Sequence, residues 1–148
     1  MLTAYFMAAV RGPMGDEAPT DTVLANVVRA VAVAERIQSW FPRSLRIRVP
    51  HMDLLPDNLG PAEILREEGL ISHDDIIRAD CIIATRQDFG ISLNPQSPGM
   101  RLEAMAILAA GKSVFPIDTT DEATREQLTL FIMGLEEAKD EACSDSQV

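Results

Sequence analysis

Glu103 stands near the start of an otherwise largely apolar segment, Gly99 to Ala110, in which Met100, Leu102, Met105, Ala106 and Leu108 surround it. A carboxylate there is favoured by the positive end of a helix and partly stripped of water by its neighbours, a setting that suits a nucleophile. The same position also serves simply to stabilise a helix start, and spacing alone does not separate the two readings. Other groups with chemical potential flank it at a distance. Tyr5 lies in the apolar run Leu2 to Val10, and Arg11-Gly12 follows directly. Asp74 and Asp75 precede a second apolar run, Cys81 to Ala84, while Ser97 and Gly99 stand just ahead of Glu103. Neither His51 nor His73 has a second ligand type at metal-binding spacing, so no metal or other cofactor is expected. Cys81 in an apolar run and Cys143 in a polar tail are read as incidental thiols without a disulfide.

The elements that must position these groups alternate along the chain. Leu2 to Val10 reads as a buried first strand ending in Arg11-Gly12-Pro13, a loop and the first place to look for a ligand. From Thr20 or Asp21 as cap, Val23, Leu24, Val27, Val28, Val31 and Ile37 recur at helical intervals through Phe41, and Pro42 ends the pattern. Leu45 to Val49 alternates apolar and basic residues like an edge strand. A loop from Pro50 to Pro61 and a short helix from Pro61 to Glu68 follow, and Ser72 with Asp75 resembles a capping pair for a further helix.

Cys81 to Ala84 reads as a central strand buried on both faces, and Thr85 to Pro98 as a long polar loop. Within that loop, Arg86 to Gln96, containing Asp88 and Asn94, is read either as a lid over a ligand or as a solvated insertion. Gly99 to Ala110 is a helix with Gly111 as its C-terminal cap, Ser113 to Ile117 a strand, and Glu122 to about Lys139 a last amphipathic helix. The alternation predicts a single α/β domain of Rossmann/flavodoxin-like type over 1–142, mostly parallel, with helices on both faces and 143–148 as a tail. The exits after Val10, near Val49 and after Ala84 then converge at the carboxyl ends of the strands, where such sheets bind ligands. His51 lies where the second of these loops could approach a ligand.

The balance of 13 basic against 23 acidic residues gives a net charge of −10. Duplex nucleic acid is therefore an unsuitable partner, whereas a single phosphate group can still be held by local N–H groups and one arginine. No apolar run reaches the roughly 20 residues a membrane span requires, and Met1 leads into a strand-like segment without a basic leader, so a cytoplasmic, non-membrane protein is expected.

Several blocks together resemble the nucleoside 2-deoxyribosyltransferase superfamily, and more closely its 2′-deoxynucleoside 5′-phosphate N-hydrolase branch. Tyr5-Phe6-Met7-Ala8-Ala9-Val10-Arg11-Gly12 is similar to that branch's opening strand, with Ala8 where the branch has glycine. Ser97-Pro98-Gly99-Met100-Arg101-Leu102-Glu103, with Ala106 and Gly111-Lys112, looks like the family's S-x-G-x-x-x-E…A…G-K pattern. Arg78-Ala79-Asp80-Cys81-Ile82-Ile83-Ala84 resembles the strand that begins with alanine-aspartate. Leu128 to Gly134 resembles the segment whose hydroxyl, here Thr129, reaches the phosphate from a neighbouring subunit.

The resemblance implies hydrolysis of the N-glycosidic bond of a 2′-deoxynucleoside 5′-monophosphate through a covalent Glu103-deoxyribosyl intermediate, tuned by Tyr5. Arg11, Gly12, Ser97, Gly99 and Thr129 then bind the phosphate, and a homo-oligomer, dimer or larger, is expected. The family also implies an aspartate eight residues before the alanine-aspartate strand. That position is Ser72 here, which leaves Asp75 or Asp74 as stand-ins. Base exchange on a nucleoside, and nucleotide binding without turnover, are the alternatives. A further one, an interaction subunit, draws on Phe131, Ile132 and Met133 in the last helix.

Overall fold

The computed structural model describes residues 1–9, 20–49 and 73–146. Arg11, Gly12, His51 and Ser72, the loop at 50–61 and the short helix at 61–68 lie outside the described residues.

Four parallel strands form one sheet in the order β2-β1-β3-β4, with β1 Leu2–Met7, β2 Leu45–Arg48, β3 Phe89–Leu93 and β4 Ser113–Ile117. Among the described residues, four helices cover it: α1 Thr20–Trp40, α2 His73–Thr85, α3 Pro98–Ala109 and α4 Glu122–Ser146. The protein is thus an α/β domain of Rossmann/flavodoxin-like architecture. None of its described helices is long and apolar enough to cross a membrane.

Alternation along the strands divides the core in two. Leu2, Ala4 and Phe6 of β1, with Phe89, Ile91 and Leu93 of β3, face α1 and α4. α1 brings Ala30, Ala34, Ile37 and Phe41 to that layer, the alanines letting its backbone come close to the sheet, and α4 brings Leu128 and Ile132. Phe131 closes the layer beside Phe89 and Phe115, with ring centroids 5.1 and 5.2 Å apart. On the other face, Tyr5 and Met7 of β1 pack with Ala84 of α2 and with Met100 and Ile107 of α3. The edge strand β2 is braced by Gln38, whose amide donates to the carbonyls of Phe41 and Leu45 and accepts the Ile47 N–H.

One stretch corrects the sequence reading. Cys81 to Ala84 is the last part of α2, not a strand, and the central strand is Phe89–Leu93, inside the segment read as a long loop or lid. A four-residue apolar run does not by itself distinguish a buried strand from one side of a helix. Ile76, Ile77, Asp80, Ile83 and Ala84 carry helical spacing, and Ile82 points outward, 55% exposed. Gly90 and Ser92 hide the strand because they look like turn residues, yet both are fully enclosed on the Tyr5 face, and at Gly90 Ile107 of α3 lies too close for a larger side chain. The last helix also runs further than its pattern suggests, to Ser146 rather than Lys139.

Candidate active site

The approach of α3 to the sheet sets the site. Ser97 caps the helix, its hydroxyl accepting the Met100 N–H at 3.2 Å, and Pro98 occupies the first turn, where a missing N–H costs nothing. At the other end Gly111 takes a left-handed conformation, φ 78°, just beyond the last turn, as a terminating glycine does. Between them Met100, Glu103, Ala104 and Ile107 fall on one side at helical spacing. Met100 and Ile107 are buried against Tyr5 and Met7, and Ala104 packs against the same cluster. Glu103 therefore occupies a position in the inward stripe that the fold otherwise fills with apolar side chains.

Gly90 is what admits that stripe. A Cβ there would come within 2.7 Å of Ile107 Cδ1 and 2.9 Å of Met7 Cε, closer than packed carbons tolerate. Gly90 pairs with Tyr5 across the β1–β3 ladder, so the gap beside Tyr5 is where Ile107 seats, one helical turn below Glu103.

Burial dominates the electrostatics. Desolvation pushes the Glu103 carboxyl up to about 7; the Tyr5 hydroxyl opposes this by favouring the ionised form, and the negative charge of Asp80 adds to it. Burial first, then the Glu103 and Asp80 charges, raises the Tyr5 phenol far above its ordinary range. The phenol and the carboxylate are close enough to interact, yet the hydroxyl is wholly buried and has no partner in good hydrogen-bond geometry. The two groups thus approach without completing the bond, and the hydroxyl keeps a proton to donate. Cys81 borders the same group of side chains, its thiol pushed up by burial and by the charges of Glu103 and Asp80.

Of the residues singled out from the sequence, Tyr5 and Glu103 are brought together. Ser97 and Gly99 lie at the start of α3, next to the carboxyl end of β3. Asp74 and Asp75 fall in the first turn of α2, but their side chains are outside the described residues. Thr129 belongs to α4, on the opposite side of the sheet, where its hydroxyl donates to the Arg125 carbonyl at 2.7 Å.

Sequence reasoning missed Asp80 as a site residue, because the misplaced strand made it a strand opener. The aspartate that opens the observed strand is Asp88, and eight residues before Asp88 stands Asp80. Sequence reasoning also passed over Ser92, fully buried beside Met7 on the same side of the sheet, whose hydroxyl accepts from the Gln96 amide at 3.2 Å. A serine alternating with apolar residues in Phe89 to Leu93 was the available signal.

Comparison with protein-family models, curated proteins and solved structures found no match.

Proposed function

We propose that the protein hydrolyses the N-glycosidic bond of a 2′-deoxynucleoside 5′-monophosphate, with Glu103 as the covalent nucleophile. The observation that carries this reading is a carboxylate in the apolar inward stripe of α3, facing a buried phenol on β1 and a second acidic residue, Asp80, on α2. Structural carboxylates are seldom buried in this way, because a helix start is stabilised equally well from the solvent side.

In the proposed reaction a Glu103 oxygen bonds to C1′ while the bond from C1′ to the base nitrogen breaks. The electron pair leaves with the base, which takes up a proton. Water then attacks C1′, the ester bond breaks back to the Glu103 carboxylate, and the water proton is released. Tyr5 positions the carboxylate and donates to it, and Asp80 handles the base or a sugar hydroxyl. The spacing between Asp80 and Asp88 supports this second role in place of Asp74 or Asp75, and with it the enzyme reading over a binding domain that lacks its second carboxylate. Ser97, Gly99, Arg11 and Gly12 hold the 5′-phosphate in the proposal, and Thr129 would reach it only from a neighbouring copy. That contribution is why a homo-oligomer belongs to the proposal, as does a cytoplasmic setting with a small-molecule substrate and no cofactor.

The test is incubation with each 2′-deoxynucleoside 5′-monophosphate, with and without a second free base. Release of deoxyribose 5-phosphate supports hydrolysis, and a new nucleotide supports base exchange. Glu103→Ala should lose turnover by orders of magnitude while still binding nucleotide. Nucleotide binding without turnover of any substrate by the unaltered protein would leave only the binding-domain alternative.

A further inference from the structure

β2 lies beside β1 at one edge of the sheet, and the two strands run in register with Thr3 opposite Arg46 and Tyr5 opposite Arg48. Side chains opposite one another on adjacent strands share a face, so Arg46 and Arg48 stand on the Tyr5 side while Leu45 and Ile47 turn to the core beneath α1. Arg48 is thus the lateral neighbour of Tyr5, one strand spacing of about 4.8 Å away. It is exposed, and α2 packs mainly against α3 rather than over β2. Arg48 forms no ion pair with another described residue. Nor is its charge spent on the nucleophile, since Glu103 answers to burial, to the Tyr5 hydroxyl and to Asp80. Asp74 and Asp75 stand in the first turn of α2 with their side chains outside the described residues, so they are the carboxylates against which a role for Arg48 has to be tested.

We infer that Arg48 meets the base of the substrate and selects bases with a carbonyl oxygen at the edge away from the sugar, the 6-oxopurines and 4-oxopyrimidines, over their amino counterparts. The inference rests on the N-glycosidic reading above. With the phosphate at the start of α3, beside β3, and C1′ at Glu103 and Tyr5, the base extends across β1 toward β2, where Arg48 stands. A guanidinium has donors and no acceptor, so it pairs with a carbonyl oxygen, or with that oxygen and the adjacent N7 of a purine, and is opposed by an amino group. As the bond from C1′ to the base nitrogen breaks, the electron pair passes into the base and is shared with that oxygen, where the positive charge meets it. The base then takes up its proton as before. Arg46 shares the face but lies nearer the amino end of β2, opposite Thr3, and serves as the control.

The test compares 2′-deoxynucleoside 5′-monophosphates in pairs, hypoxanthine with adenine and uracil with cytosine. It reads kcat/KM with the unaltered protein and calorimetric binding to Glu103→Ala, each with and without Arg48→Ala. The oxo member of each pair should be preferred at least about tenfold. Arg48→Ala should bring each ratio close to unity by losing the oxo member, Arg48→Lys should keep part of the preference, and Arg46→Ala should leave it whole. The unfolding midpoint should stay unchanged in all three. An arginine that serves Asp74 or Asp75 instead would lower that midpoint when removed and cost both members of a pair equally, which would overturn the inference. So would the absence of a preference in the unaltered protein, or a preference that survives Arg48→Ala, with hydrolysis left standing in either case. A binding preference that depends on Arg48, without turnover of any substrate, would overturn hydrolysis and keep the role of Arg48. A protein that binds no nucleotide overturns both.

Discussion

Glu103 and Tyr5 meet across the seam between α3 and β1, with the phenol wholly buried and its hydroxyl lacking a well-formed partner. A buried hydroxyl without a bond costs about 1–3 kcal/mol relative to one that is satisfied. The pair is therefore held slightly open, and a small movement of either side chain would close it.

Tyr5→Phe should consequently leave stability unchanged or raise it by about 1 kcal/mol, since the unsatisfied group is removed and the ring packing kept. Because the hydroxyl favours the ionised carboxylate, the same change should raise the Glu103 pKa above about 7. Denaturant unfolding together with an NMR titration of the carboxyl carbon would measure both. A clear loss of stability, with the Glu103 pKa unmoved, would mean that the hydroxyl is engaged elsewhere.

Glu103→Gln should stabilise the protein at alkaline pH. The carboxyl rises from 4.5 in the unfolded chain to about 7 when folded, so the native state holds a proton that the unfolded chain has lost. Stability then falls as pH rises from about 4.5 and levels off above about 7, by a total of about 3 kcal/mol. The amide has no such proton to lose, so the variant should gain on the parent across that window and keep a constant advantage above it. Parallel stability profiles for the two proteins from pH 4 to 9 would rule out the burial on which this rests.

Asp80→Asn removes a negative charge that disfavours ionisation of Glu103, so the Glu103 pKa should fall below about 7. If Glu103 is the nucleophile, the acidic limb of kcat/KM moves down with it, because the carboxylate is the reactive form. An unchanged Glu103 titration in the variant would place Asp80 outside the group.

The sequence made most of the frame legible, for reasons that differ along the chain. The helical spacing of α1, the alternation of β2 and the terminating Gly111 of α3 are local signals, and each element lies within a residue or so of where those signals put it. Cys81 to Ala84 carried no such discrimination, since four apolar residues suit a helix side as well as a strand. Gly90 and Ser92 disguise the true strand as a turn, and at Gly90 the small size answers to a helix pressed against it, a tertiary demand invisible from neighbouring residues. The same misplacement hides Asp80: as a strand opener it has no reason to approach Glu103, whereas on α2 it lies close enough to raise the Glu103 carboxyl. Tyr5 and Glu103, separated by nearly the whole chain, were paired through family resemblance, because local sequence says nothing about which strand faces which helix.

Asp88 ties the ends of the chain at the amino end of the two central strands, β1 and β3. Its Oδ2 accepts the Thr3 N–H at 2.7 Å and the Thr3 hydroxyl at 3.2 Å, and faces Lys139 at 3.5 Å. Asp88→Ala leaves a partly buried N–H without its acceptor and should cost about 1–3 kcal/mol. Lys139→Ala, which removes a partly exposed ion pair and an exposed 3.4 Å hydrogen bond to the Met1 carbonyl, should cost less than about 1 kcal/mol. Equal losses in thermal or denaturant unfolding would contradict this division between hydrogen bond and ion pair.

The last prediction asks whether the closeness of α3 to the sheet, which sets the distance from Glu103 to Tyr5, depends on Gly90. Gly90→Ala puts a methyl group 2.7 Å from Ile107 Cδ1 and 2.9 Å from Met7 Cε, and both atoms are side-chain tips that can swing aside only into an already filled layer. The expected loss is about 1–3 kcal/mol, as for other overpacked cores. Ile107→Val deletes the closer of the two atoms and alone costs about 1 kcal/mol through the space it leaves. Combined, the two changes fill one another's defect, so the double variant should be more stable than the sum of the single losses predicts. Strict additivity would mean that α3 accommodates the methyl by moving away from the sheet, and the Glu103 titration would then shift toward its ordinary value as water reaches the carboxyl.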